Sequence, residues 1–190
     1  MTENEKDEIF PFINGEIIDL VAQTSKSAAL LCKWFNNPEV RRYSRNIWPK
    51  TLEEIKKWFE PSQERGVKNF IVFNIYHKKD KQIIGNVGFS QINWVSRNAN
   101  LFATIGIPAY WGKGIVIEAA ELVIQYGFTE LNFHKIYVGI FNLNNRSLRA
   151  AEKLGFKKEA VLKGQEYVDG KYIDEHKFAL FKEDWLRKRN

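Results

Sequence analysis

Tyr110-Trp111-Gly112-Lys113-Gly114-Ile115-Val116-Ile117-Glu118-Ala119 is the stretch on which the reading of this chain turns. Two glycines lie between a β-rich segment and a long apolar-periodic run in which Ile117, Ala120, Val123, Ile124 and Phe128 recur at helical spacing. Glycines at that junction permit a tight turn and leave room beside the backbone. The free amides and positive dipole end of the helix that follows then point at one place, an arrangement that binds phosphate.

Upstream, residues 69–77, 82–93 and 98–107 are β-rich and separated by the polar turns Lys78-Lys79-Asp80-Lys81 and Ser96-Arg97, which predicts an antiparallel meander. Nearer the start, residues 16–21 alternate like a strand, and Ser25 or Ser27 is placed to cap a helix that Asn36-Asn37-Pro38 ends. Thr51-Leu52-Glu53-Glu54 has the form of a capping box, with Leu52, Ile55, Trp58 and Phe59 following at helical spacing. Downstream, the central helix is expected to end near Thr129. Residues 136–141 read as a strand, 144–154 as a helix stopped by Gly155, and 156–163 as another strand. Asp169-Gly170 turns the chain into a return strand over 172–181. The order predicts an α/β fold with one mixed, mainly antiparallel sheet flanked by helices, a single domain over 1–190 with residues 1–10 as a flexible N-terminus.

With 190 residues, 44% hydrophobic and 27% charged, the chain has the composition of one globular domain. Its apolar runs are far shorter than the roughly 20 residues of a membrane span, and the polar start carries no secretory signal, so a cytoplasmic location is expected. The single cysteine, Cys32, excludes an internal disulfide and reads as a small buried apolar residue. With three scattered histidines, no metal site is expected. His77 and His134, at a strand end and in a turn, read as surface residues. The net charge of +6 is dispersed, suits a phosphate-bearing ligand, and comes without any nucleic-acid-binding signature.

The glycine stretch resembles the pyrophosphate loop of the Gcn5-related N-acetyltransferases, with Trp111 in the family's Gln/Arg position and Val116 in its last Gly/Ala position. A second block, Asn144-Asn145-Arg146-Ser147 followed by Glu152-Lys153-Leu154-Gly155-Phe156, resembles the RimJ/RimL branch, and Trp34 to Tyr43 extends the likeness towards the N-terminus. The resemblance implies a mixed-sheet acetyltransferase that takes acetyl from acetyl-coenzyme A, without a metal, to an amine. It implies a splayed strand at Ile105, Gly106 and Ile107 for the pantetheine arm, an oxyanion donor near Ile107, and pyrophosphate contacts from Gly112, Lys113, Gly114, Ile115 and Val116, with Asn144 also at the coenzyme. Some members carry a catalytic tyrosine where this chain has Ala151. In the RimL-like pattern the serine, here Ser147, lies near the coenzyme sulfur and a glutamate nineteen residues later, here Glu166, is the base. Helix capping accounts for the polarity of Asn144 and Ser147 equally well.

An α-amine with a pKa near 8 costs about 1 kcal/mol to neutralise at pH 7, against nearly 5 for an amine near 10.4. That leans towards a protein N-terminus as acceptor. A small amine (polyamine, amino sugar or aminoglycoside) is the alternative, and Tyr43, Trp48 and Trp58 are candidates for the acceptor groove. A coenzyme-A-binding regulator without turnover is the non-enzyme reading. No membrane partner is expected, and the molecule is read as a monomer or homodimer.

Overall fold

The computed structural model describes residues 9–44, 47–60 and 68–189. Eight strands form one sheet in the order β1-β2-β3-β4-β5-β6-β8-β7. They are β1 (Pro11–Asn14), β2 (Ile18–Ala22), β3 (Ile71–His77), β4 (Gln82–Asn93), β5 (Asn98–Ile105), β6 (Lys135–Phe141), β7 (Lys157–Val168) and β8 (Lys171–Phe181). Every neighbouring pair is antiparallel except β5 and β6. The sheet is therefore mixed and mainly antiparallel, as the turn pattern predicts.

Alternation along the strands sends side chains to opposite faces and so decides which helix covers which side. On β3, Phe73 and Ile75 enter the main core with Val123, Ile124 and Phe128 of the long helix α4 (Ile115–Thr129). Asn74 between them points the other way, donating to Ser27 Oγ at 2.7 Å just before α1 (Ala28–Asn36). The serine expected to cap α1 thus ties the helix to the sheet instead, and its hydroxyl makes no capping bond. Asn37 ends α1, yet its side chain accepts from Glu39 N–H at 2.9 Å and starts the short α2 (Pro38–Arg41), with Pro38 in the first turn where its missing N–H costs nothing. The capping box at Thr51 forms as read, opening α3 (Leu52–Lys57).

Elsewhere the structure extends the sequence reading. Residues 1–8 of the expected flexible start lie outside the described residues, and β1 begins at Pro11, forming an edge hairpin with β2. The carboxylate of Glu118, in the first turn of α4, holds the turn of that hairpin: Oε1 accepts from the amides of Glu16 at 2.6 Å and Ile17 at 2.8 Å. β7 runs to Val168, beyond the expected 163, through bulges beside β8. Asp169 and Gly170 turn it with positive φ at both positions, the conformation a two-residue hairpin needs. The helix α5 (Asn145–Leu154) and a short terminal α6 (Lys182–Arg187) complete the chain, and Trp185 of α6 packs on Phe128 with ring centroids 5.4 Å apart.

Glu118 bonds to amides more than 100 residues away, so Glu118→Ala is expected to lower the unfolding free energy in urea by about 2 kcal/mol. Glu121→Ala, exposed on the same helix, should change it by no more than about 0.5 kcal/mol. Equal effects from the two would show that the anchor contributes nothing.

Candidate active site

The parallel pair β5 and β6 is matched over only three positions, Asn98↔Lys135, Ala99↔Ile136 and Asn100↔Tyr137. Beyond them the strands diverge, and the gap widens into a cavity of about 1490 Å³ lined by β5 from Asn100 to Ile105 and by Val138, Gly139, Ile140 and Phe141 of β6. The register says which backbone groups face it. Gly106 N–H donates to Ile84 O at 2.9 Å, so even-numbered residues of β5 bond to β4 and odd-numbered ones face β6. The Asn100↔Tyr137 match pairs the Leu101 N–H with Tyr137 O, and beyond it the Leu101 C=O, both backbone groups of Ala103 and the Ile105 N–H face the gap. On the other side Asn142 N–H donates to Asp174 O at 3.0 Å, which leaves Gly139 turned to the gap by the same parity.

At one end of the gap the glycine loop enters α4. Gly112 and Gly114 have φ of +77° and +80°, and nothing lies within 4 Å of where a Cβ would stand. Glycine is required there by backbone conformation, and the space beside it is open. Gly114 caps α4 without a side-chain bond, so the first-turn amides of Ile115 and Val116 have no acceptor within the helix. Two aromatic side chains hold the loop. Trp111 Nε1 donates to Ile105 O at 2.8 Å, and Arg146 of α5 lies over its indole at 4.1 Å. Tyr110, itself buried, donates to Asp80 Oδ2 at 2.5 Å and accepts from Gln82 Nε2 at 2.8 Å.

Of the residues singled out from the sequence, Ile105, Gly112, Gly114, Ile115, Val116, Asn144 and Ser147 line the cavity together. Asn144 caps α5 by accepting from Ser147 N–H at 3.2 Å, so the capping role is real and leaves the Ser147 hydroxyl outside it. Lys113 is not among the lining residues; its ammonium sits over the Tyr110 ring at 5.3 Å. Gly106 and Ile107 border a separate, smaller pocket of about 280 Å³ beside Trp34, whose indole fills the place of a Cβ on Gly106. Glu166 is half-buried on β7 opposite Ile173, with β8 between its strand and β6, and is not among the residues that line the cavity.

The sequence missed other parts. His77, read as a surface residue, is 8% exposed, with Nδ1 2.9 Å from Asp80 Oδ2. Glu39, Tyr43, Trp58 and Phe70 also line the cavity, and Arg146, Arg149 and Lys153 line it from one face of α5. Trp48 is exposed and does not line it. Cys32 is half-buried, its Sγ donating to Lys50 O. Among the described residues no group of three or more histidine, cysteine or acidic side chains is placed to hold a metal, and no helix is long and apolar enough to cross a membrane.

A glycine loop at a helix start, beside two diverging parallel strands, is what the resemblance leads one to expect, and comparison decides it. Residues 18–157 match the acetyltransferase (GNAT) domain. The chain belongs to this family. It is 31% identical over 164 residues to the N-acetyltransferase p20 of Bacillus licheniformis, covering 84% of this chain and 90% of that one. It is 28% identical over 174 residues to the spermidine N(1)-acetyltransferase of Escherichia coli K12, covering 92% and 86%. The fold matches that of the Vibrio cholerae spermidine N-acetyltransferase in complex with CoA and spermine with a TM-score of 0.80 at 23% identity, covering 89% of this chain and 98% of that one. The protein is thus an acetyl-coenzyme-A-dependent N-acetyltransferase. The Escherichia coli and Vibrio cholerae relatives are spermidine enzymes, and these likenesses do not point to the RimJ/RimL-like branch expected from the second motif block.

The hydrogen bond from Tyr110 holds the Asp80 carboxyl below its ordinary range, with His77 and Lys79 adding to the effect, and Asp80 in turn raises Tyr110. A depressed carboxyl stabilises the fold above its unfolded value near 3.9, and this is lost as pH falls through the folded pKa. A raised tyrosine stabilises it below about 10, and this is lost as pH rises through the folded pKa. Asp80→Asn should therefore flatten the acid limb of a stability profile and Tyr110→Phe the alkaline limb. Unfolding curves from pH 2 to 11 whose limbs match wild type in both variants would contradict the pairing.

Proposed function

We propose that the acceptor is a small-molecule amine of the polyamine class, and that it meets the acetyl group at the midpoint of the β5–β6 gap. The observation that carries this reading is one cavity lined by Gly112, Gly114, Ile115 and Val116 and also by Glu39 and the aromatic side chains of Tyr43, Trp58 and Phe70. Ammonium groups are attracted both to a carboxylate and to aromatic faces. The spermidine enzymes among the relatives support the same acceptor, against the protein N-terminus that the cost of neutralising the amine first favoured.

The coenzyme fits the rest of the cavity by chemistry. Its pyrophosphate suits the αL loop and the first amides of α4, with the cations of Arg146, Arg149 and Lys153 nearby to favour its negative charge. Its pantetheine arm, a chain with two amides, suits the Leu101 C=O, the Ile105 N–H and the backbone groups that Ala103 and Gly139 present to the gap. The thioester supplies an acetyl group already activated for aminolysis. Ser147, fixed at the start of α5 by Asn144, is assigned to orient the sulfur; a hydroxyl is too weak an acid to protonate it unaided. Glu39, the carboxylate on the cavity wall, is assigned to hold the cationic acceptor.

Thioester consumption should be measured across spermidine, spermine, simple monoamines, an aminoglycoside and N-terminal peptides. Spermidine or spermine is expected to turn over best, with kcat/KM rising towards tenfold per pH unit below the amine pKa as the neutral fraction grows. Glu39→Gln should raise the KM for the polyamine about tenfold. Glu166→Gln is expected to stay within about threefold of wild type; a fall of 10²-fold with coenzyme binding intact would place the base at Glu166, as the spacing from Ser147 implies. Preference for peptides over every polyamine would overturn the acceptor assignment.

In the same preparation Gly114→Asp should abolish coenzyme binding, because it adds a side chain and a like charge where the pyrophosphate sits. A folded Gly114→Asp protein with wild-type affinity for coenzyme A would remove the loop from the site.

A further inference from the structure

We propose that Asp80, on the turn between β3 and β4, is a positioning residue for coenzyme binding that acts through the Tyr110 hydroxyl to hold the glycine loop in its receptive shape. The proposal rests on the pyrophosphate being bound at Gly112 to Val116. Tyr110 precedes Gly112 by two residues, and Asp80 comes from a turn that contributes nothing else to the cavity.

The directions of the hydrogen bonds follow from the groups present. Gln82 Nε2 can only donate, so it occupies a lone pair of the Tyr110 hydroxyl at 2.8 Å and leaves the single O–H proton for Asp80 Oδ2 at 2.5 Å. Oδ2 is also met by His77 Nδ1 at 2.9 Å. Asp80 N–H donates to the same ring nitrogen at 3.3 Å, so the imidazole holds the turn through both the amide and the carboxylate of Asp80. The imidazole of His77 packs edge-on against the Tyr110 ring at 5.0 Å. Asp80 is thus aimed from the strand side by His77, and it receives Tyr110 from the loop side.

The loop needs such a fixture. Gly112 and Gly114 sit at positive φ with nothing within 4 Å of either Cβ position, so the side of each that a side chain would occupy is not packed. Glycine moves freely between wells, and a loop that must be ordered at the moment of binding loses affinity. Trp111 anchors the loop to the end of β5. Tyr110 anchors it to a different pair of strands, and the two together fix its direction as well as its position.

The test is a titration of coenzyme A and a steady-state analysis on Tyr110→Phe, Asp80→Ala, Asp80→Asn and the Tyr110→Phe/Asp80→Ala pair. Tyr110→Phe and Asp80→Ala should each raise the dissociation constant of coenzyme A and the KM of acetyl-coenzyme A about tenfold. At saturating acetyl-coenzyme A, kcat should change less than twofold. Asp80→Asn, which keeps an acceptor without the charge, should fall between, and the double variant should be no worse than either single one because both remove the same bond. Wild-type coenzyme affinity in the folded single variants, whatever their melting temperature, would reduce the contact to a structural one and overturn the proposal. A loss in kcat with KM unchanged, or an additive double variant, would overturn it as well. Gly114→Asp separates the two failures: if it abolishes binding while Tyr110→Phe and Asp80→Ala bind normally, the clamp alone is wrong, and if it too binds normally, the placement of the pyrophosphate is wrong.

Discussion

Two parallel strands that stop pairing after three residues set the conditions for everything else in this molecule. A parallel pair that parts inside a continuous sheet leaves backbone donors and acceptors pointing at one another across a space too wide to bridge, and unpaired polar backbone is costly unless something pairs with it. β5 is held to β4, and β6 to β8, along their other edges, so neither strand can turn away to satisfy itself. The gap is therefore a permanent feature with a defined chemistry: alternating amides and carbonyls along both walls, open to a chain that carries amides of its own.

The cavity is specialised by what the helices bring. α4 starts where β5 ends, and its first amides, freed by a left-handed glycine turn, give that end its affinity for negative charge. α1, α2 and α3 with the residues that border them bring aromatic rings and Glu39 to the cavity wall, which suits a cation. Trp111 sits at the hinge of this design. It occupies the position where the family pattern has a Gln or Arg, yet its indole closes the end of β5 and its face carries Arg146, so the cation the pattern expects in sequence arrives here from α5.

The sequence disclosed the local features and concealed the ones that depend on register. The capping box at Thr51, the Asp169-Gly170 hairpin and the glycine turn at Gly112 and Gly114 are decided by a few adjacent residues, and each appears as read. Ser27 looked like a cap because a serine before an apolar run usually is one. Its hydroxyl went to Asn74, a partner 47 residues away that no local pattern reveals. His77 was misread for a related reason: a histidine at a strand end is exposed unless a loop from elsewhere covers it, and Tyr110 does so. Ile105, Gly106 and Ile107 form one stretch in the sequence pattern, but β5 ends at Ile105, which lines the cavity, while Gly106 backs onto Trp34 and Ile107 begins the turn to Tyr110. The spacing between Ser147 and Glu166 carries no information about strand order, which sets β8 between β6 and the strand that bears Glu166.

The claim on which this account stands is that coenzyme A lies as a strand in the β5–β6 gap, and residue-resolved amide hydrogen exchange tests it directly. In the free protein the amides of Phe102 and Thr104, bonded to β4, should exchange slowly, and those of Ala103 and Ile105, turned to the gap beyond the last matched pair, quickly. Saturating coenzyme A should slow the exchange of gap-facing amides among Ala103, Ile105 and Gly139, together with Ile115 and Val116, and leave Phe102 and Thr104 as they were. Protection that appears elsewhere, or a saturated protein in which the gap-facing amides of β5 exchange as fast as before, would contradict it.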